Sequence, residues 1–208
     1  MTVSLALGFV ASYLLGAIPT SYLVVRAVKG VDLRTVGSGN LGATNLYRQL
    51  GWAYAIPVGL FDLLKGTIPV LVFAPRAGAS GALALAMGAT AVLGHVYSVF
   101  VGFKGGKGVA TAAGVVLGLA PWALLAAFVA WALVLGLTGY VSLGSILGAL
   151  VFPAVAWLAH PGQRPFIWFH VALALAIVVL HRSNIRRLVA GTENRFGRRR
   201  GEPPGEAT

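Results

Sequence analysis

From Val109 to Leu137 the chain carries no charged side chain, a run longer than one helix needs to cross the roughly 30 Å hydrocarbon layer of a bilayer. Comparable apolar stretches recur at about Val3 to Val28, Trp52 to Phe73, Ala79 to Phe100, Leu143 to Ala159 and Phe166 to Leu180. They are too many and too long to be the buried helices of a soluble core. Composition agrees: 10% of the residues are charged and 58% hydrophobic, where a soluble domain carries roughly 25% charged residues. The alternation of a membrane barrel strand is missing. The fold expected is therefore an all-α integral membrane protein. Val3 to Val25 outlasts a typical signal core and no basic residue precedes it, so it reads as a membrane helix rather than a secretory signal.

Charge sets the number of crossings. Lysine and arginine gather on the cytoplasmic side, and every basic residue except Lys65, Arg76 and Arg164 lies in the segments Arg26 to Arg48, Lys104 to Lys107 and Arg182 to Arg200. An even number of crossings must then separate Lys107 from Arg182. That requires Val109 to Leu137 to cross twice, with the break at Ala120-Pro121, where proline starts a new helix but disfavours continuing the old one. Seven transmembrane helices result, with the N-terminus outside and the C-terminus cytoplasmic. Residues 1–208 form a single membrane-embedded domain in this reading, and roughly 196–208 a flexible cytoplasmic tail. The formal charge of +11 points to anionic lipid headgroups rather than nucleic acid, because the charges sit between membrane spans. Zero cysteines exclude disulfides and thiol chemistry.

This topology brings four polar segments to the cytoplasmic side. The first, Gly37-Ser38-Gly39-Asn40-Leu41-Gly42-Ala43-Thr44-Asn45 with Arg48 behind it, formally matches a dinucleotide fingerprint, but it follows a membrane helix instead of a strand. Its dense Ser, Asn, Thr and Arg suit an anion or a polyol; a plain polar loop is the alternative. The second, Phe103-Lys104-Gly105-Gly106-Lys107-Gly108, has Val101 where a Walker loop needs its first glycine and Gly108 where it needs Ser or Thr. Nucleotide hydrolysis is not expected, and a phosphate site or a basic interfacial anchor remains. The third is Ser142-Leu143-Gly144-Ser145, where Ser142 alone reads as a helix cap. The fourth is His181-Arg182-Ser183-Asn184 through Glu193 and Asn194. If the last helix continues into it, His181 and Asn184 share a face, and neither residue type serves topology.

Inside the spans, Asp62 and Lys65 lie three apart on one helix face, where each can neutralise the other. His95 reads as a helix-packing histidine or a catalytic one, and His160 and His170 fall toward the outer side. No histidine pair has a metal-ligand spacing, so no metal is expected; no H-x-x-x-x-D acyltransferase box occurs. A transporter would place its polar groups near the midplane of repeated halves, and no internal repeat is visible. A noncatalytic assembly subunit would not need such a one-sided polar cluster.

Six motifs taken in order, G-S-G-N-L-G-A-T-N-L-Y-R at Gly37 to Arg48, D-L-L-K-G at Asp62 to Gly66, G-H-V-Y at Gly94 to Tyr97, F-K-G-G-K-G-V-A-T at Phe103 to Thr111, S-L-G-S at Ser142 to Ser145 and H-R-S-N-I-R-R-L-V-A-G-T-E at His181 to Glu193, resemble the bacterial membrane glycerol-3-phosphate acyltransferases of the PlsY type. Ser98 departs from that pattern, in which proline follows the G-H motif. The resemblance implies transfer of a fatty acyl group from acyl phosphate to the 1-hydroxyl of glycerol 3-phosphate, giving lysophosphatidic acid and inorganic phosphate, the first acylation of phospholipid synthesis. It implies a seven-helix protein of the bacterial inner membrane, with its site facing the cytoplasm and neither cofactor nor obligate protein partner.

Carried across residue by residue, the resemblance makes Ser38, Lys107, His181 and Asn184 catalytic. It places Arg48, Lys107, Ser145, His181 and Asn184 around glycerol 3-phosphate. Gly37, Ser38, Gly39, Asn40, Thr44, Asn45, Lys104, Gly105, Gly106 and Gly108 fall to acyl phosphate, with Lys107 expected to matter more than Lys104. Asp62, Lys65, His95, Ser142 and Glu193 take supporting roles. Whether His181 is a general base or a positioning group stays open at this point.

Overall fold

The computed structural model describes residues 2–159 and 161–196. His160 and the tail from 197 onward lie outside the described residues. No strand occurs among the described residues.

The first apolar run is broken where proline dictates. Helix α1 (Val3–Ala17) starts at Thr2, whose hydroxyl accepts the Leu5 N–H, and stops at Ile18, because Pro19 disfavours helical geometry in the residue before it. Helix α2 (Thr20–Lys29) resumes and ends at Gly30 in the left-handed conformation. The break leaves carbonyls at Ala17 and Ile18 without helical partners. Ser98 Oγ donates to the Ala17 oxygen, and the Ile18 oxygen accepts from Lys65 Nζ at 2.8 Å as well as from the Thr20 N–H at 3.0 Å and hydroxyl at 3.4 Å. Ser98 stands where the family pattern has proline; its φ of −67° is one that proline also adopts.

A glycine-rich loop leads to the short amphipathic α3 (Ala43–Leu50), whose buried Leu46 packs with Val25, Leu33 and Leu41. Then α4 (Trp52–Ile68) passes through one wide π turn at Pro69–Phe73 into α5 (Ala74–Arg76), a continuous apolar span of 25 residues. Next come α6 (Ala82–Val96) with a 3₁₀ turn at Val99–Val101, α7 (Val109–Leu119), α8 (Pro121–Thr138), α9 (Val141–Ala159), α10 (Arg164–Leu180) and α11 (Arg182–Val189). The expected break at Ala120-Pro121 is present, with Pro121 at the first position of α8. The helix axis bends by 57° between α10 and α11.

Five of these segments are long and apolar enough to cross a membrane, and α10 with α11 makes a sixth. Helix α7, with 11 residues, is about 16 Å long at 1.5 Å per residue and does not meet that length by itself. The described residues thus define an all-helical integral membrane protein with five to six candidate spans. Its packing suits lipid: Leu7, Leu60, Trp122, Leu133 and Leu137 point outward, Leu137 being 85% exposed, while Ala17, Ala74, Ala112, Ala123 and Ala156 are fully buried. Lipid tails are as apolar as leucine, so small residues that let helices approach closely drive association. Helices α4 and α7 meet in this way. A Cβ on Gly66 would strike the Thr111 carbonyl, and one on Gly114 the Leu63 carbonyl. That contact fixes where α7, and therefore Lys107 just before it, stands.

Candidate active site

A cavity of about 530 Å³ opens between α3, α4, α7, α8, α9 and the α10–α11 junction. Its polar wall gathers all four polar segments. Asn45 organises the first: buried at 1% exposure, its Nδ2 donates to carbonyls of Val36 and Asn40, both at 3.1 Å, and of Leu33 at 3.3 Å, while its Oδ1 accepts the Ser38 N–H at 3.0 Å. The loop is thereby wrapped around one carboxamide, and Ser38, Asn40, Thr44, Asn45 and Arg48 line the cavity. Asn45 spends its hydrogen-bonding groups on the loop itself.

The lysine-glycine stretch folds back on the end of α6, Gly105 N–H donating to the Val96 carbonyl and Gly106 N–H to that of His95. Gly108, at φ +71°, then turns the chain into α7, a conformation open to glycine but strained for other residues. This path aims Lys107 into the cavity and leaves Lys104 exposed outside it. Gly37, Gly39, Gly105 and Gly106 likewise stand behind the lining rather than in it.

Lys107 Nζ donates to Asn184 Oδ1. Asn184 Nδ2 donates in turn to Glu193 Oε1 at 2.6 Å, which also accepts from Ser142 Oγ at 2.8 Å, and Glu193 Oε2 accepts from Arg187 Nε at 2.6 Å. Ser142 is therefore more than a helix cap. Burial opposes ionisation of Glu193, but the hydrogen bonds from Asn184, Ser142 and Arg187 outweigh it and hold the carboxyl below its ordinary value. Burial pushes the Lys107 ammonium down to about 8; Glu193 opposes this, and the positive Arg187 and Arg48 reinforce it. Ser145 Oγ donates to the Val141 carbonyl at 2.9 Å from the same wall.

Despite the bend, His181 and Asn184 are both buried and both line the cavity. His181 Nδ1 lies 2.8 Å from the Ile177 carbonyl. A carbonyl only accepts, so Nδ1 carries the hydrogen, and Nε2 of the neutral ring is left as an acceptor. Arg187 and Asn194 also line the cavity. Sequence reasoning missed both as site residues; the signal for Arg187 was its helical spacing from Asn184. The rest of the lining is largely apolar and includes Leu63, Leu124, Phe128, Trp131, Phe152 and Ile177. Among the described residues no group of three metal-ligating side chains occurs.

Cations, amides and hydroxyls beside an apolar lining give this membrane protein a cavity suited to an anionic group joined to an apolar tail. The family model described as glycerol-3-phosphate acyltransferase matches residues 6–191. The chain belongs to that family. It is 48% identical over 186 residues to the glycerol-3-phosphate acyltransferase of Geobacter sulfurreducens, covering 89% of this chain and 94% of the relative. To that of Geobacter metallireducens it is 52% identical over 186 residues, with the same coverage of 89% and 94%. The crystal structure of PlsY, an integral membrane glycerol 3-phosphate acyltransferase, in its glycerol 3-phosphate form superposes with a TM-score of 0.86 at 41% identity, covering 93% of this chain and 96% of that one. The lysophosphatidic acid form gives 0.84 at 39% identity with the same coverage of 93% and 96%.

Proposed function

We propose that the chain transfers a fatty acyl group from acyl phosphate to the 1-hydroxyl of glycerol 3-phosphate. The observation that carries this reading is the Lys107–Asn184–Glu193 chain of hydrogen bonds facing the cavity beside an apolar lining. Glu193 holds Asn184, and Asn184 holds an ammonium that would otherwise be free to swing. Phosphate binding then needs little reorganisation. Arg48 and Lys107 supply charge for the phosphate groups, and Ser145 and Asn184 supply hydrogen bonds. The apolar lining takes the acyl chain.

The glycerol hydroxyl attacks the acyl carbonyl carbon. A new C–O ester bond forms, the C–O bond to phosphate breaks, and phosphate leaves with the electron pair. His181 Nε2 accepts the hydrogen bond of the hydroxyl and sets its direction. The proton ends on the departing phosphate, so the products are 1-acylglycerol 3-phosphate and hydrogen phosphate. Acyl phosphate is a mixed anhydride with a good leaving group, which makes orientation more useful here than a strong base. The same reading has seven crossings, α7 serving as a short one, with the N-terminus outside, the C-terminus inside and the site open to the cytoplasm of a bacterial inner membrane.

Purified wild-type protein is expected to release phosphate from acyl phosphate only when glycerol 3-phosphate is present, and not to use acyl-CoA. Lys107→Ala and Asn184→Ala are each expected to lower that rate about a hundred-fold with thermal unfolding little changed. Near-normal turnover in both folded variants would overturn the site.

A further inference from the structure

Asp62, Lys65 and His95 form a second polar group, buried between helices at 2%, 0% and 8% exposure, that the transfer described above does not use. Ionised side chains inside a membrane protein are costly to bury and need close partners. Here the ammonium of Lys65 has three: Asp62 Oδ1 at 2.6 Å, the Ile18 carbonyl at 2.8 Å and His95 Nδ1 at 3.4 Å. An ammonium has three donors and no acceptor. His95 Nδ1 must then accept, and the ring's hydrogen lies on Nε2.

That Nε2 edge is turned toward the glycine loop. A Cβ on Gly106 would collide with it, Gly106 N–H donates to the His95 carbonyl, and His95 and Asp62 both line the cavity. The two histidines of the cavity are thus fixed in opposite forms. His181 offers an acceptor, which a hydroxyl needs; His95 offers an N–H, which a carbonyl or phosphoryl oxygen needs.

We propose that His95 is a further catalytic residue, its Nε2–H donating to an oxygen of the acyl phosphate, and that Lys65 and Asp62 are positioning residues that hold this tautomer. The proposal rests on the reading that the cavity takes acyl phosphate as donor. A fixed, water-excluded N–H aimed at developing charge acts without reorganising as the carbonyl is attacked.

Full-length protein with ¹⁵N-labelled histidine tests the tautomer without reference to activity. The His95 signals, assigned by their loss in His95→Gln, are expected to show a neutral ring with hydrogen on Nε2. Lys65→Met should move them toward the mixed tautomers of a free imidazole. In turnover, His95→Ala is expected to lose about a hundred-fold in kcat on acyl phosphate while KM for glycerol 3-phosphate stays within about two-fold. His95→Gln, whose amide nitrogen reaches the position of Nε2, should recover about ten-fold of that loss. A ring protonated on Nδ1, signals unmoved by Lys65→Met, or a folded His95→Gln no better than His95→Ala would each overturn the proposal. A wild type that leaves acyl phosphate untouched would instead overturn the donor reading, and with it the ligand named for His95, while the tautomer result would stand.

Discussion

Lys107 is the residue on which pH should act most visibly. Its pKa is drawn down to about 8 by burial, against the pull of Glu193 and with the push of Arg187 and Arg48. In the proposed reaction the charged form binds phosphate, and it is lost as pH rises through that value. kcat/KM for glycerol 3-phosphate, which reports the free enzyme, is expected to fall about ten-fold per unit above that pKa. Lys107→Arg, charged throughout, should lack this alkaline limb whatever its absolute rate; a wild-type profile flat to about pH 9.5 would refute the assignment. In sequence, Lys104 and Lys107 look alike, two lysines around a pair of glycines. Backbone direction separates them, through the left-handed Phe103 at φ +61° and Gly108 at φ +71°. Asn45 illustrates the opposite case. A carboxamide in a polar loop reads as a ligand, yet its partners are backbone groups five to twelve positions away, invisible until the loop is folded. Arg187 reads as a topology signal because an arginine near a membrane end has that use already; only its 2.6 Å contact with Glu193 gives it another.

At the level of helices, hydropathy marks where the apolar segments lie, and proline marks some of their ends. Pro121 lies inside an uncharged run too long for one helix and opens α8, as its sequence setting implies. Pro19 breaks a run that hydropathy reads as continuous, since a kink changes no side chain's polarity. Pro57 and Pro153 sit inside intact helices, tolerated because neighbouring groups satisfy the freed backbone in a membrane protein. Proline alone therefore cannot separate kink from break. Glycine is equally ambiguous, and the structure sorts it. Gly114 of α7 is pressed against the Leu63 carbonyl of α4, whereas nothing lies within 4 Å of a Cβ placed on Gly136 of α8. Gly114→Val is expected to destabilise by about 1–3 kcal/mol and to depress activity further by displacing α7 and Lys107. Gly136→Ala should leave both within experimental error, about 0.5 kcal/mol. Thermal unfolding and phosphate release on the two purified variants check this, and equal effects would mean that the α4–α7 contact does not govern the site.

Across the whole molecule, the loops that carry most of the positive charge are knitted together at one end. Arg34 Nη1 reaches the Val101 carbonyl at 3.4 Å, Lys107 meets Asn184, Ser142 meets Glu193, and Phe196 donates its N–H to Gly139 and stacks on Tyr47 with centroids 4.9 Å apart. The run α7–α8 therefore leaves this end at Gly108 and returns to it at Gly139, and α9–α10 leaves at Val141 and returns at His181. In the proposed topology, charge patterning puts that end in the cytoplasm and the α9–α10 connection near Arg164 on the other side. Helix length alone cannot decide this, because α7 is too short to be counted as a span by its own measure. Accessibility can, and the absence of native cysteine makes the measurement clean. A single cysteine at Arg164 should react with a membrane-impermeant thiol reagent added to intact cells whose outer layer has been opened. One at Lys104, exposed and outside the cavity, should react only in inverted vesicles. Labelling of Arg164→Cys solely from the cytoplasmic face would reverse the number of crossings after α9 and separate the His181 segment from the loops it touches, so the topology argued from charge would fall.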